Sequence, residues 1–187
     1  MKRIGLLGGT FDPPHIGHLA IADEVYKQLA LDEVWFIPSA SPPHKPAAHV
    51  ATKDRIAMLE AAIDCDDRFK LELIEIERQG KSYTIDTLTA LIERYPNLSF
   101  YFIIGADMVE YLPKWNQVDN LVQLAQFVGV KRPDYQLLTP YPVTLINGPS
   151  LDVSSTEIRE RLASNQPVHY LVPPKVMEII KERRLYE

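Results

Sequence analysis

Short apolar runs alternate with stretches of helical spacing along this chain. Ile4 to Leu7 reads as a first strand, and Ile16, Leu19, Ala20, Ala22, Val25, Tyr26 and Leu29 then recur on one helical face. Glu33 to Ile37 reads as a second strand. Pro38 to Pro46 carries four prolines and reads as a loop. Thr52 is placed to cap a helix through Ile63. Phe69 to Ile76 alternates as a strand does. Thr84 to Tyr95 has helical spacing, and Leu98 to Ile104 is almost continuously apolar, as for a strand buried on both faces. Val118 to Leu124 reads as a helix, Phe127 to Val130 and Val143 to Ile146 as strands. Further helices start at Ser155 and Pro174. Strands alternating with helices predict an α/β fold: a Rossmann-like, doubly wound parallel sheet in three layers. The pattern predicts one domain over residues 1–187, with helices from about 154 packing on the sheet. Ligands of such sheets bind beyond the carboxyl ends of the strands, so function is sought there.

Composition narrows the picture. The 187 residues are 46% hydrophobic and 24% charged, which suits one globular unit. A net charge of −5 argues against broad nucleic-acid binding. The lone Cys65 allows neither an intrachain disulfide nor a multi-thiolate metal site. No apolar run approaches the ~18 residues of a membrane span. Residues 1–9 are too short an apolar stretch for a signal peptide, so a cytoplasmic protein is expected. Of only 8 glycines, Gly5, Gly8, Gly9 and Gly17 fall near the start. Gly80, Gly105 and Gly148 follow beside other candidate segments, and Gly129 reads as purely structural.

Two motifs carry chemistry. Gly8-Gly9-Thr10-Phe11-Asp12-Pro13-Pro14-His15-Ile16-Gly17-His18 follows the first strand. It is neither the G-x-G-x-x-G fingerprint nor a Walker A loop. Its glycines let backbone amides approach a phosphate. His15 and His18, three apart, would share one face of a helix start, where the helix dipole also favours an anion. Asp12 either caps this helix or orients a ligand. The second motif is Val153-Ser154-Ser155-Thr156-Glu157-Ile158-Arg159. Ser154 and Glu157 have capping-box spacing, and the helix start, its hydroxyls and Arg159 can hold a polyphosphate.

The first motif resembles the signature of the H-x-G-H nucleotidyltransferases, and the second the S-S-T-x-I-R signature of adenylyltransferases in that superfamily. Gly80 to Leu88, Gly105 to Met108 and Tyr111 to Trp115 look like the pyridine-nucleotide segments of bacterial nicotinate mononucleotide adenylyltransferases. The resemblance spans essentially the whole chain. Members of that family often end G-L-Y-E. Here Arg184 stands in the glycine's place, with little expected effect on function.

The resemblance implies an enzyme of NAD biosynthesis that joins ATP and nicotinate mononucleotide, releasing pyrophosphate. His15, His18 and Arg159 would be catalytic. Gly8, Gly9, Thr10, Phe11, Lys45, Arg132, Ser155 and Thr156 would join them in binding ATP. Tyr83, Thr84, Gly105, Asp107, Met108, Lys114 and Trp115 would bind the pyridine nucleotide. An aromatic such as Trp115 offers a stacking face, and the amides opening the Thr84 helix suit a carboxylate. Mg²⁺ is expected to arrive with ATP, since no metal-ligand cluster is spelled out. Lys45 either closes over the triphosphate or is solvated. His49 and His169 receive no role. A homodimer is left open. The alternatives are another small nucleotidyltransferase, such as a phosphopantetheine adenylyltransferase or a cytidylyltransferase, and a non-catalytic nucleotide-binding regulator.

Overall fold

Among the described residues of the computed structural model, six strands form one parallel sheet. They are β1 (Lys2–Gly9), β2 (Glu33–Pro38), β3 (Phe69–Leu71), β4 (Leu98–Gly105), β5 (Gln126–Lys131) and β6 (Val143–Asn147). Their spatial order is β3-β2-β1-β4-β5-β6, and all five pairings are parallel. The order reverses between β1 and β4, so the expected doubly wound sheet has its switch point there. The structure describes residues 1–41, 47–78, 80–131 and 135–187. Lys45, Arg132 and most of the 38–46 loop lie outside them.

The helices are α1 (Ile16–Gln28), α2 (Thr52–Ile63), α3 (Ile74–Arg78), α4 (Thr84–Arg94), α5 (Ala106–Tyr111), α6 (Val118–Leu124), α7 (Ser155–Ala163) and α8 (Pro174–Glu182). Two apolar clusters lie on opposite faces of the sheet, as alternate residues of its strands require. One joins Leu7, Phe36, Tyr101 and Val128 to Ala22 and Val25 of α1, Met58 of α2, Ile158 of α7 and Ile180 of α8. The other joins Ile4, Leu6, Phe100 and Phe102 to Leu88 of α4, Val109 of α5 and Leu121 of α6. Among the described residues, no helix is long and apolar enough to cross a membrane.

Three local expectations change. The strand read over Phe69 to Ile76 stops at Leu71, and α3 follows. Glu72 ends the sheet: its amide donates to the Phe36 carbonyl at 2.9 Å, and its carboxylate Oε1 accepts the Ile74 amide at 3.0 Å. A side chain that takes an amide two residues ahead starts a turn, so alternation alone misread this segment. Thr52 is the first helical residue of α2, and Ala51 is the cap. The Thr52 hydroxyl instead accepts Arg55 Nη2 at 3.2 Å. Residues Ala106–Tyr111, without an assigned element in the sequence reading, form α5 and lead into a 3₁₀ turn at Leu112–Lys114.

The scarcity of glycine has a structural counterpart. α1, α7 and α8 each end with a left-handed residue and the paired hydrogen bonds of a Schellman motif, and none of the three residues is glycine. They are Ala30 (φ 46°), Asn165 (φ 53°) and Arg184 (φ 51°). Beyond them the Leu31 amide reaches the Tyr26 carbonyl at 3.0 Å, Gln166 reaches Arg161 at 2.7 Å and Leu185 reaches Ile180 at 3.0 Å. Gly5 proves to serve packing, since a Cβ there would lie 2.8 Å from Leu31 Cδ1. Gly129 is equally closed in, at 2.7 Å from Val109 Cγ2.

Candidate active site

The first motif is a turn between β1 and α1 that is fastened at several points. Gly9 closes the strand, and its carbonyl accepts the Ser39 amide at 2.9 Å, tying the loops after β1 and β2 together. Arg55 of α2 reinforces that tie: Nη1 donates to the Thr10 carbonyl at 2.7 Å and Nη2 to the Ser39 carbonyl at 2.9 Å. Arg55 is 1% exposed. Burial pulls its guanidinium below the usual arginine range, and the Asp12 carboxylate opposes that shift.

His15 caps α1 and His18 is its third residue. Their rings stack at 3.7 Å between centroids, and the Phe11 ring meets His18 edge-on at 4.9 Å. The His15 amide donates to His18 Nδ1 at 3.2 Å. A backbone N–H can only donate, so Nδ1 carries the lone pair and the neutral ring bears its proton on Nε2. Gly17 makes room for this stack: a Cβ there would sit 3.0 Å from the His15 ring.

The second motif docks directly on the first. Ser155 Oγ donates to the Pro13 carbonyl at 2.9 Å across 142 positions of sequence. Arg159 Nη1 donates to the Asp12 carbonyl at 2.7 Å, and Nη2 to Thr156 Oγ1 at 3.2 Å. Ser154 Oγ accepts the Glu157 amide at 3.1 Å, as its capping position requires.

A cavity of about 450 Å³ lies between the motifs. Gly8, Gly9, Thr10, His15 and His18 line it from one side, Ser155, Thr156 and Arg159 from the other. Lys131 at the end of β5 and His49 also reach it. The Phe11 side chain is 2% exposed and belongs to the core, which leaves only its backbone for a ligand.

The pyridine-segment residues are outside that lining: Tyr83 and Thr84 open α4, Gly105, Asp107 and Met108 open α5, and Lys114 and Trp115 close the 3₁₀ turn that follows α5. Tyr83 caps α4, and Thr84 is its first residue. Gly80, with φ 83°, turns the chain into this segment. Ser82 Oγ accepts the amides of Ala40 and Ser41 at 3.0 and 3.2 Å, binding the segment to the loop after β2. Gly105 caps α5, and Asp107 in its first turn is exposed. Trp115 is half-buried, edge-on to Phe102 at 6.1 Å and to Phe127 at 6.2 Å. Its indole N–H is buried and has no partner among the described residues. Lys114 Nζ lies 5.3 Å from the Tyr111 ring centroid.

Sequence reasoning left Asp12 undecided and passed over Arg55, His49 and Tyr186. Asp12 is 3% exposed. Its Oδ1 accepts the Tyr186 hydroxyl at 2.6 Å, and its Oδ2 accepts the His49 amide at 2.7 Å. It therefore fastens chain segments and does not cap α1. The only local signal was a carboxylate inside a proline-stiffened turn, and its partners lie 37 and 174 positions away.

A cytidylyltransferase-like family model matches residues 6–161. This assigns the class of nucleotidyltransferase-type sheet already described. Full-length relatives are more specific. The chain is 53% identical to a nicotinate-nucleotide adenylyltransferase of Bacillus subtilis and 54% to a probable one of Bacillus licheniformis, with 100% of each chain covered. A solved structure of Plasmodium falciparum nicotinic acid mononucleotide adenylyltransferase complexed with NaAD is 24% identical. It superposes with a TM-score of 0.82 over 100% of this chain and 98% of that one, a likeness of fold. The chain belongs to the nicotinate-nucleotide adenylyltransferase family.

Proposed function

We propose that this chain is an adenylyltransferase of NAD biosynthesis that joins ATP and nicotinate mononucleotide into nicotinate adenine dinucleotide and pyrophosphate. The observation that carries the reading is the convergence of both motifs on one cavity, through Ser155 on Pro13 and Arg159 on Asp12. The full-length identity to the two Bacillus proteins supports the substrate.

A phosphate oxygen of the mononucleotide attacks the α-phosphorus of ATP. A new P–O bond forms there, the bond from that phosphorus to the bridging oxygen breaks, and pyrophosphate leaves. Such transfers depend on positioning and on stabilising charge on the transferring group. His15 and His18 sit at the positive end of α1 and receive the phosphoryl oxygens, with His18 Nε2–H as donor. Gly8, Gly9 and Thr10 offer backbone, while Ser155, Thr156 and Arg159 hold the triphosphate. Lys45 and Arg132 are assigned to the same ligand from sequence alone. The opening amides of α4, with Tyr83 and Thr84, take the nicotinate carboxylate. Trp115 and Met108 border the pyridine ring, Gly105 and Asp107 the ribose, and Lys114 the outer rim.

Mg²⁺ belongs to this reading as a companion of ATP. Among the described residues no group of three or more His, Cys, Asp or Glu is arranged to hold a metal. The hard oxygen donors that Mg²⁺ favours are those of the triphosphate, where the ion would neutralise phosphate charge. The whole chain acts as one catalytic unit, supported by the cluster that joins strand residues to Ile158 and Ile180. Its water-soluble substrates and its exposed free Cys65 favour a cytoplasmic setting.

Purified protein with ATP and Mg²⁺ tests the reading. Pyrophosphate release is expected only when a pyridine mononucleotide is added, with nicotinate mononucleotide the better substrate. Release with phosphopantetheine and none with either pyridine mononucleotide would overturn it.

A further inference from the structure

Asp12 stands within the phosphate-binding turn, but both of its carboxylate oxygens are committed elsewhere. Oδ1 accepts the Tyr186 hydroxyl at 2.6 Å. Oδ2 accepts the His49 amide at 2.7 Å, and His49 Nδ1 lies 3.3 Å from the same oxygen. The Asp12 carbonyl meanwhile accepts Arg159. One residue thus joins the turn after β1, the far end of the loop after β2, the head of α7 and the segment that follows α8.

Tyr186 is the most remote of these partners, and it is held firmly. Its ring packs against the core cluster that contains Phe11 and Ile158. Its backbone is left-handed, with φ 67°, a conformation that tyrosine adopts only when its surroundings impose it. Burial, and then the bond to the Asp12 carboxylate, push its hydroxyl well above the usual tyrosine range, so it remains a donor at any working pH. A buried carboxylate that lost this donor would be left with a lone pair unsatisfied.

We propose that Tyr186 is a positioning residue for adenylyl transfer: its hydroxyl holds Asp12, and through Asp12 the turn from Gly8 to His18, in the geometry that receives the triphosphate. This rests on the assignment of that turn to ATP. Tyr186 is expected to touch neither substrate. Its effect should therefore fall on binding of ATP and spare binding of the mononucleotide, whose proposed residues lie outside the cavity between the two motifs.

The test is steady-state kinetics with each substrate varied, on the unmodified protein, Tyr186→Phe, Asp12→Ala and the double variant. Tyr186→Phe keeps the ring and removes the hydroxyl. It should lower kcat/KM for ATP about tenfold, the effect of one hydrogen bond to a charged group, and leave KM for nicotinate mononucleotide within about twofold. The double variant should be no worse than Asp12→Ala alone, because without the carboxylate the Tyr186 hydroxyl has no Asp12 side-chain oxygen left to hold. Met177→Ala controls for stability: it thins the packing beneath α8 without touching the hydroxyl, and should lower Tm while keeping kcat/KM for ATP. Unchanged kcat/KM for ATP in Tyr186→Phe, a KM for nicotinate mononucleotide raised as much as that for ATP, additive losses in the double variant, or the same loss in Met177→Ala would each overturn the proposal. Absence of turnover in the unmodified protein would overturn the functional reading beneath it.

Discussion

His18 holds its own helix start together: its Nδ1 accepts the amide of His15 at 3.2 Å while the two rings stack at 3.7 Å. One imidazole therefore serves as a helix cap on one edge and presents an N–H donor on the other. The two duties can be separated by substitution.

His18→Ala removes both. Turnover should fall by about 10²–10³, as when one preorganised donor to a developing charge is lost. Stability should fall by about 1 kcal/mol with the cap. His18→Glu should restore the cap, because a glutamate at the third helical position can reach back to the capping residue's amide, while its carboxylate has no N–H to donate. Its Tm should approach that of the unmodified protein while turnover stays low. Thermal unfolding measured beside pyrophosphate release checks both. Recovery of activity by the glutamate would argue against the donor role.

Gly17→Ala sets a methyl group 3.0 Å from the His15 ring. Alanine is otherwise the better helix former by about 1 kcal/mol, so the clash and the propensity largely offset each other in Tm. The displaced ring should lower kcat at least tenfold, since catalysis depends on sub-ångström placement. A variant with unchanged kcat would show that the stack is not needed.

Arg184 ends α8 in the left-handed region with its side chain exposed. Arg184→Gly should relieve the strain of that position and raise stability by about 0.5–1 kcal/mol, after the extra freedom of glycine in the unfolded chain is deducted. Denaturant unfolding measures this. A loss of stability would mean that the arginine makes a compensating contact.

Glu75 provides a pH signature. Burial raises its carboxyl above the ordinary 4.5, and bonds from Ser82 and Thr87 offset this only in part. The folded state thus binds this proton more tightly than the unfolded one. Its stabilising contribution is complete below about pH 4.5 and is lost as pH rises through the raised folded value. Glu75→Gln abolishes this titration. Whatever fixed cost the amide carries, the stability of the variant relative to the parent should increase with pH above about 4.5 and then level off. Urea unfolding across pH 4–8 checks the trend, and a pH-independent difference would contradict it.

The sequence by itself determined the layered α/β architecture and the two motif-bearing helix starts. Both are encoded locally: strand and helix periods show within a few residues, and Ser154 caps α7 through an amide three positions away. Local pattern failed where one side chain redirected the backbone, as Glu72 does in turning a strand-like stretch into α3. It also could not tell which glycines serve a ligand and which serve packing, because Gly5 is required by Leu31, 26 positions along, and not by any turn. The tertiary structure alone decided that Asp12 is a fastener, that Arg55 ties the loops after β1 and β2, and that Tyr186 reaches the turn. Each of these bonds joins residues brought together only when helices on one face pack on the sheet. A buried polar group must find a partner wherever that packing supplies one, and the partner leaves no periodic trace in the chain.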